Sequence, residues 1–75
     1  EVDFVVNTGS QIIPIEVKYS ILKTPEISRS FRSFIEKYHP NKGYVINLGL
    51  NAIVEIGHTQ VNFISIFDLI HQKLV

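Results

Sequence analysis

The chain has 75 residues, seven basic and seven acidic side chains, a formal net charge of zero, and neither cysteine nor methionine. That length admits one domain, spanning 1–75, near the lower limit for a self-sufficient core. The missing cysteines exclude disulfides and thiolate-bound zinc, and the neutral balance excludes a bulk electrostatic pull on nucleic acid. Charge is nevertheless uneven: six of the seven basic residues fall within 1–42, and only Lys73 follows. No apolar run approaches the roughly 18 residues of a membrane span, and no signal peptide is recognisable. A cytoplasmic setting is therefore expected. The chain has no initiator methionine and opens inside an expected strand, so it reads as a piece of a longer protein.

Val2–Val6 and Ile12–Lys18 are strand-like runs around Asn7-Thr8-Gly9-Ser10-Gln11. Gly9-Ser10 suits a two-residue hairpin loop, with glycine supplying positive φ. Centring the turn there puts Asp3 directly across from Glu16, and Glu1 across from Lys18. Alternation along each strand then sorts Val2, Phe4, Val6, Ile13, Ile15 and Val17 onto one face. Glu1, Asp3, Glu16 and Lys18 take the other, with Val5, Ile12 and Pro14. A correct register separates apolar from charged residues in this way.

Thr24-Pro25-Glu26 reads as a helix start, with threonine as N-cap and proline at the first helical position. The helix is expected over about 25–38. Ile27, Phe31, Phe34, Ile35 and Tyr38 form its apolar stripe, and Arg29, Arg32 and Glu36 lie opposite. Pro40, Asn41 and Gly43 end it after His39. The apolar run Tyr44–Leu48 predicts a buried strand, reached by a crossover and parallel to the Glu16 strand. Ala52–Ile56 and Gln60–Ile64 are two more strands around Gly57-His58-Thr59. Ser65 caps a last helix over about 66–74, with Asp68 in a capping-box position. Phe67, Ile70 and Leu74 are expected to face the sheet. The fold class is α/β (α+β): a mixed sheet with a hairpin at 2–18, a crossover helix, further strands over about 44–64 and a C-terminal helix.

Two carboxylates directly opposite in a ladder repel by up to roughly 1 kcal/mol. A divalent cation between them removes that cost, because Mg²⁺ takes hard oxygen ligands from one or two carboxylates plus substrate phosphate. Lys18, on the same face as Glu16, is placed to hold a phosphate oxygen or the attacking water. The competing reading is a solvated sheet face with a Glu1–Lys18 ion pair. Lys23, Arg29, Arg32 and Lys42 are candidates for phosphate-backbone contact, against an ordinary solvated helix face. Ser20 would share the Glu16 face if the strand continued. His39, His58 and His71 show no metal-ligand spacing. Phe31, Phe34 and Tyr38 read as core. No phosphate-binding glycine loop or Ser-His-Asp or Cys-His nucleophile pattern is present.

Asp3…Glu16-Val17-Lys18, an amphipathic helix and the strand over 43–48 together resemble the PD-(D/E)xK, or restriction-endonuclease-like, nuclease superfamily. The segments EVDFVV, IPIEVKYS, SFRSFIEKYHPNKGYVINLG and VNFISIFDLI are similar to the C-terminal domain of unknown function of prokaryotic AAA-type ATPases. The resemblance covers nearly the whole chain. It implies a partial restriction-endonuclease-like core with Asp3, Glu16 and Lys18 as catalytic residues, and Asp3 and Glu16 as ligands of Mg²⁺ or Mn²⁺. It also implies possible DNA phosphodiester hydrolysis or DNA binding, and a parent ATPase domain as partner. Two features depart from the superfamily. No upstream helix supplies a further acid, and Val2 stands where a proline often precedes the first acid. Two alternatives follow: a non-catalytic module docking on DNA or a partner, and a structural piece prone to self-association through an exposed sheet edge.

Overall fold

A computed structural model describes the backbone of residues 2–74 and the side chains of 2–71. Five strands form one mixed sheet: β1 (Phe4–Asn7), β2 (Ile12–Val17), β3 (Lys42–Asn47), β4 (Ala52–Ile56) and β5 (Thr59–Ser65). Helix α1 (Arg29–Tyr38) crosses between β2 and β3, and α2 (Ile66–Leu74) follows β5. The spatial order is β1-β2-β3-β5-β4. The three inner strands run parallel, and the two outer strands pair antiparallel to their neighbours.

The hairpin register is the one the sequence predicts. Phe4 pairs with Ile15, Val5 with Pro14, Val6 with Ile13 and Asn7 with Ile12. Gly9 has φ 93°, and Asn7 Oδ1 accepts its N–H at 2.9 Å, so the turn is closed by an Asx contact. Pro14 has no N–H to give, and it sits just before the β2–β3 ladder opens at Ile15–Tyr44. A proline is tolerated in this inner strand for that reason.

The two faces of the sheet are unequal. Pro14 and Glu16, Gly43, Val45 and Asn47, and Thr59, Val61, Phe63 and Ser65 alternate into the buried face. Phe31 and Ile35 of α1 pack there with Val45, Val61 and Phe63 as the core cluster. The purely apolar face of the hairpin is the less covered one: Ile13, Ile15 and Val17 are half-buried and Phe4 is 60% exposed. The helix lies over the face that carries Glu16. From Phe4 onward the sorting of side chains is the predicted one, but Glu16, not the apolar set, faces the helix; Val2, expected with Phe4 and Val6, packs instead against the core.

Helix α1 begins four residues later than its Thr-Pro-Glu signal suggests. Thr24 bonds locally to Glu26 (3.3 Å), and the N-cap is Ser28, whose side chain accepts from Phe31 N–H at 3.1 Å. Ser28 wins because its hydroxyl also reaches Glu16 on β2, a contact with the sheet that no Thr24 bond matches. Tyr38, expected in the core, is half exposed; it leans on Phe34 with ring centroids 4.6 Å apart, and Lys37 lies over its ring. His39 ends the helix in the left-handed region (φ 49°, ψ 52°), and its N–H bonds Ile35 O. In α2, Phe67 and Ile70 are exposed rather than facing the sheet. Helix α2 touches mainly β5, and Asp68 accepts from Asn51 Nδ2 at its first turn. The side chain of Leu74, like all of Glu1, lies outside the described residues.

The layer spacing is set by a glycine. A Cβ on Gly43 would stand 2.8 Å from Phe31 Cζ and 3.3 Å from Pro14 Cγ. Phe31 is fully buried, so its ring has nowhere to go. Gly43→Ala should therefore cost about 1–3 kcal/mol by overpacking, read as a lower urea midpoint at unchanged slope. The same change made on Phe31→Leu should cost less, because the colliding ring edge is gone.

Candidate functional site

Glu16 is the most constrained polar side chain of the site, at 2% exposure. It stands near the carboxyl end of β2 on the helix-covered face. A buried carboxylate needs partners, and the described ones are two. Ser28 Oγ donates to Oε1 at 2.6 Å, and Lys18 Nζ lies 3.7 Å from Oε2. Lys18 falls two residues on along the strand, so it shares the Glu16 face, with its side chain about a quarter exposed. Its backbone N–H bonds Ile46 O at 2.8 Å, continuing the parallel ladder past the last paired residue.

Asp3 reaches the same place by a different route than pairing predicts. It does not sit squarely across from Glu16. Its N–H bonds Ile15 O at 3.0 Å, although Ile15 is already the partner of Phe4. Two residues thus oppose one, as in a β-bulge, a device that re-aims a side chain. The re-aimed carboxylate accepts from Val17 N–H at 2.7 Å. Asp3 therefore brackets Glu16, bonding the residue before it and the residue after it.

The outcome is a cleft of about 440 Å³ lined by Asp3, Glu16, Val17, Lys18, Tyr19 and Ser20. The three residues singled out by spacing line one cavity, and Ser20 joins them. The basic residues Lys23, Arg29, Arg32 and Lys42 are exposed, and none lines this cleft. Arg29 directly follows the cap residue Ser28, whereas Lys42 opens β3 at the other end of the strands. His39 and His58 line a separate cavity of about 330 Å³ with Glu36. Among the described residues, no three His, Cys, Asp or Glu side chains converge in a way able to hold a metal ion.

Sequence reasoning missed Ser28 and Tyr19. Ser28 had a readable signal: it stands three residues before Phe31, where the buried stripe begins, and Ser is a strong N-cap. The Thr-Pro-Glu motif masked it. Tyr19 carries no motif; it is informative only once the cleft beside it is known. Asn47, at 1% exposure, is a buried amide read from the sequence only as part of an apolar run. Its Nδ2 donates to Leu50 O (2.9 Å) and Ile64 O (3.4 Å), and its Oδ1 accepts from Gly49 N–H (2.9 Å) and Leu50 N–H (2.6 Å), so it builds the β3–β4 turn.

Fold and site together define a small α+β domain with a mixed five-stranded sheet and an Asp…Glu-x-Lys cleft at the carboxyl end of an inner strand. A family model described as a domain of unknown function, DUF4143, matches residues 1–68, and the chain belongs to that family, which is typically found with AAA-type ATPases. Comparison with curated proteins and with solved structures gives no significant match. Among the described residues no helix is long and apolar enough to cross a membrane.

Removing the Ser28 hydroxyl should be costly twice over. Ser28→Ala loses an N-cap, worth about 1 kcal/mol, and withdraws a hydrogen bond from a buried carboxylate, worth about 1–3 kcal/mol more. Ser28→Thr keeps the hydroxyl and should retain most of the stability in urea unfolding.

Proposed function

We propose that this chain is a nuclease-like domain of the PD-(D/E)xK type, whose cleft binds a divalent cation together with a nucleic acid phosphodiester. The observation that carries this reading is the meeting of Asp3, Glu16 and Lys18 on one cleft. Hydrophobic alternation alone does not require two acids and a lysine to meet there. Their donor chemistry fits magnesium: both acids offer hard oxygen atoms, and Mg²⁺ characteristically uses one or two carboxylates, completing its shell with water and substrate phosphate. Mg²⁺ or Mn²⁺, when bound, supplies Lewis-acid polarisation of a phosphoryl oxygen and an acidified water.

The chain's own residues do the rest. Ser28 fixes the rotamer of Glu16 from inside the protein. Lys18 offsets the buried negative charge and leaves its ammonium at the cleft, where it can hold a phosphate oxygen by a charge-assisted bond. Asp3, on the exposed rim, is the more adaptable ligand, since its carboxylate can accept from Val17 N–H with one oxygen and face a cation with the other. Substrate is DNA phosphodiester in this reading, with Arg29, which directly follows the Glu16-bonded Ser28, the basic residue assigned to guide the strand.

A second reading keeps the same fold as a non-catalytic docking module of an AAA-type ATPase. One observation favours it: both carboxylates have work inside the protein, Asp3 on the Val17 amide and Glu16 on the Ser28 cap. Structural duty of this kind explains the two acids without a metal.

Calorimetric titration with Mn²⁺ separates the readings. Glu16→Gln and Asp3→Asn are the right variants, because each keeps an acceptor oxygen for its internal partner while removing charge. Saturable binding in the wild-type chain, weakened at least about tenfold in either variant, is the outcome expected of a metal site. Equal heats in all three chains would overturn it and leave the docking module. A urea melt of each variant checks that the fold is intact.

A further inference from the structure

Val17, Lys18 and Tyr19 line two adjoining cavities. One is the polar cleft of about 440 Å³. The other, of about 170 Å³, lies between the same three residues and Ile46, Asn47, Leu48 and Ile66. Its walls are largely apolar, and the one amide there, Asn47, is already bonded at both ends to Gly49, Leu50 and Ile64. Val17, Ile46 and Leu48 alternate onto the face of the sheet away from α1, so the two cavities wrap around the end of β2. They sit at the carboxyl ends of parallel β2 and β3, the end where open α/β sheets take their ligands.

Between them stands Tyr19, 87% exposed, the most exposed large hydrophobic residue among those described. A ring held in water beside a polar cleft offers a π-face and a hydroxyl to a ligand. The small cavity is too narrow for a drug-sized molecule but suits one flat ring. A ligand spanning both cavities must carry an anionic group next to a planar, largely apolar one. A nucleotide unit has that form.

We propose that the two cavities form one bipartite site for a single nucleotide of an unpaired strand, its phosphate in the Lys18 cleft and its base against Tyr19 and the Val17–Ile46–Leu48 wall. This rests on the phosphodiester reading above and adds to it a strand preference. A base inside a duplex must first be unstacked and unpaired, at a cost in free energy, before it can enter a side pocket, so single strands or frayed ends are the favoured substrate class.

The test compares two fluorescein-labelled probes with Mn²⁺ present: a thymidine hexamer and an abasic hexamer with the same number of phosphates. Anisotropy gives the two affinities, and a gel confirms that the probes remain intact. The wild-type chain should bind the thymidine hexamer about tenfold more tightly, the effect of one stacked base. Tyr19→Ala should abolish the preference and Tyr19→Phe should keep it; Tyr19 is exposed, so neither change threatens the fold. Equal affinity for both probes overturns the base pocket and leaves the metal–phosphate cleft standing. A preference that survives Tyr19→Ala overturns it as well. Calorimetric Mn²⁺ binding without capture of either hexamer does so too, again leaving the metal site. Absence of both Mn²⁺ and hexamer binding removes this inference and the nuclease-like reading together.

Discussion

The Glu16 carboxylate joins the two layers of this fold. Through Ser28 it fixes where α1 begins, and the start of α1 decides which residues meet the sheet. With Ser28 as cap, Phe31 meets Pro14 and Gly43 at close range, and Phe31 and Ile35 join Val45 and Val61 in the core cluster. A helix begun at Thr24 would have no such tie to β2. A single charged hydrogen bond in a buried place thus sets the geometry of a core that is otherwise aliphatic and aromatic. Such bonds are worth more than neutral ones, and their loss is costly because the charge stays behind in a place water reaches poorly.

The placement of Glu16 also explains the inverted burial of the hairpin. Alternation alone asks the all-apolar face to be the inner one. Here the helix crosses the charge-bearing face, because that is where its cap is held. The apolar face, with Phe4, Ile13, Ile15 and Val17, is left half-covered. The site is accordingly not a solvated sheet surface. It is a cleft at the lip of the helix–sheet interface, with one acid inside and one on the rim.

Much of this was legible in the residues, for identifiable reasons. The hairpin register followed from Gly9-Ser10 and strict alternation, and it is observed pair by pair from Phe4–Ile15 to Asn7–Ile12. The parallel crossover followed from a helix between two apolar runs, and the closing hairpin from Gly57. Three features were not legible. The helix start was obscured by a competing local signal at Thr24, which is decided only by a tertiary contact. The displacement at Asp3 depends on a backbone irregularity that carries no side-chain signature. Tyr38 falls on the apolar stripe by periodicity, yet it is half exposed and rests on Phe34 of its own helix. In the first two cases the deciding partner is distant along the chain. The Asp…Glu-x-Lys spacing, by contrast, is local to one hairpin, and it brought its residues to one cleft even though their pairing differs in detail from the simple ladder.

Ser28 has a consequence beyond its role as a cap. The same carboxylate that faces the cleft serves the first turn of α1, so whatever draws negative charge toward the cleft draws it away from that turn. If the cleft takes a cation as proposed, occupancy and helix order are reciprocal: a ligand that loosens the turn would bind less tightly by the free energy of loosening. The first turn of α1 becomes a gauge of the cleft. Its amide exchange at Phe31 would register an event about Glu16 without any probe placed in the site itself.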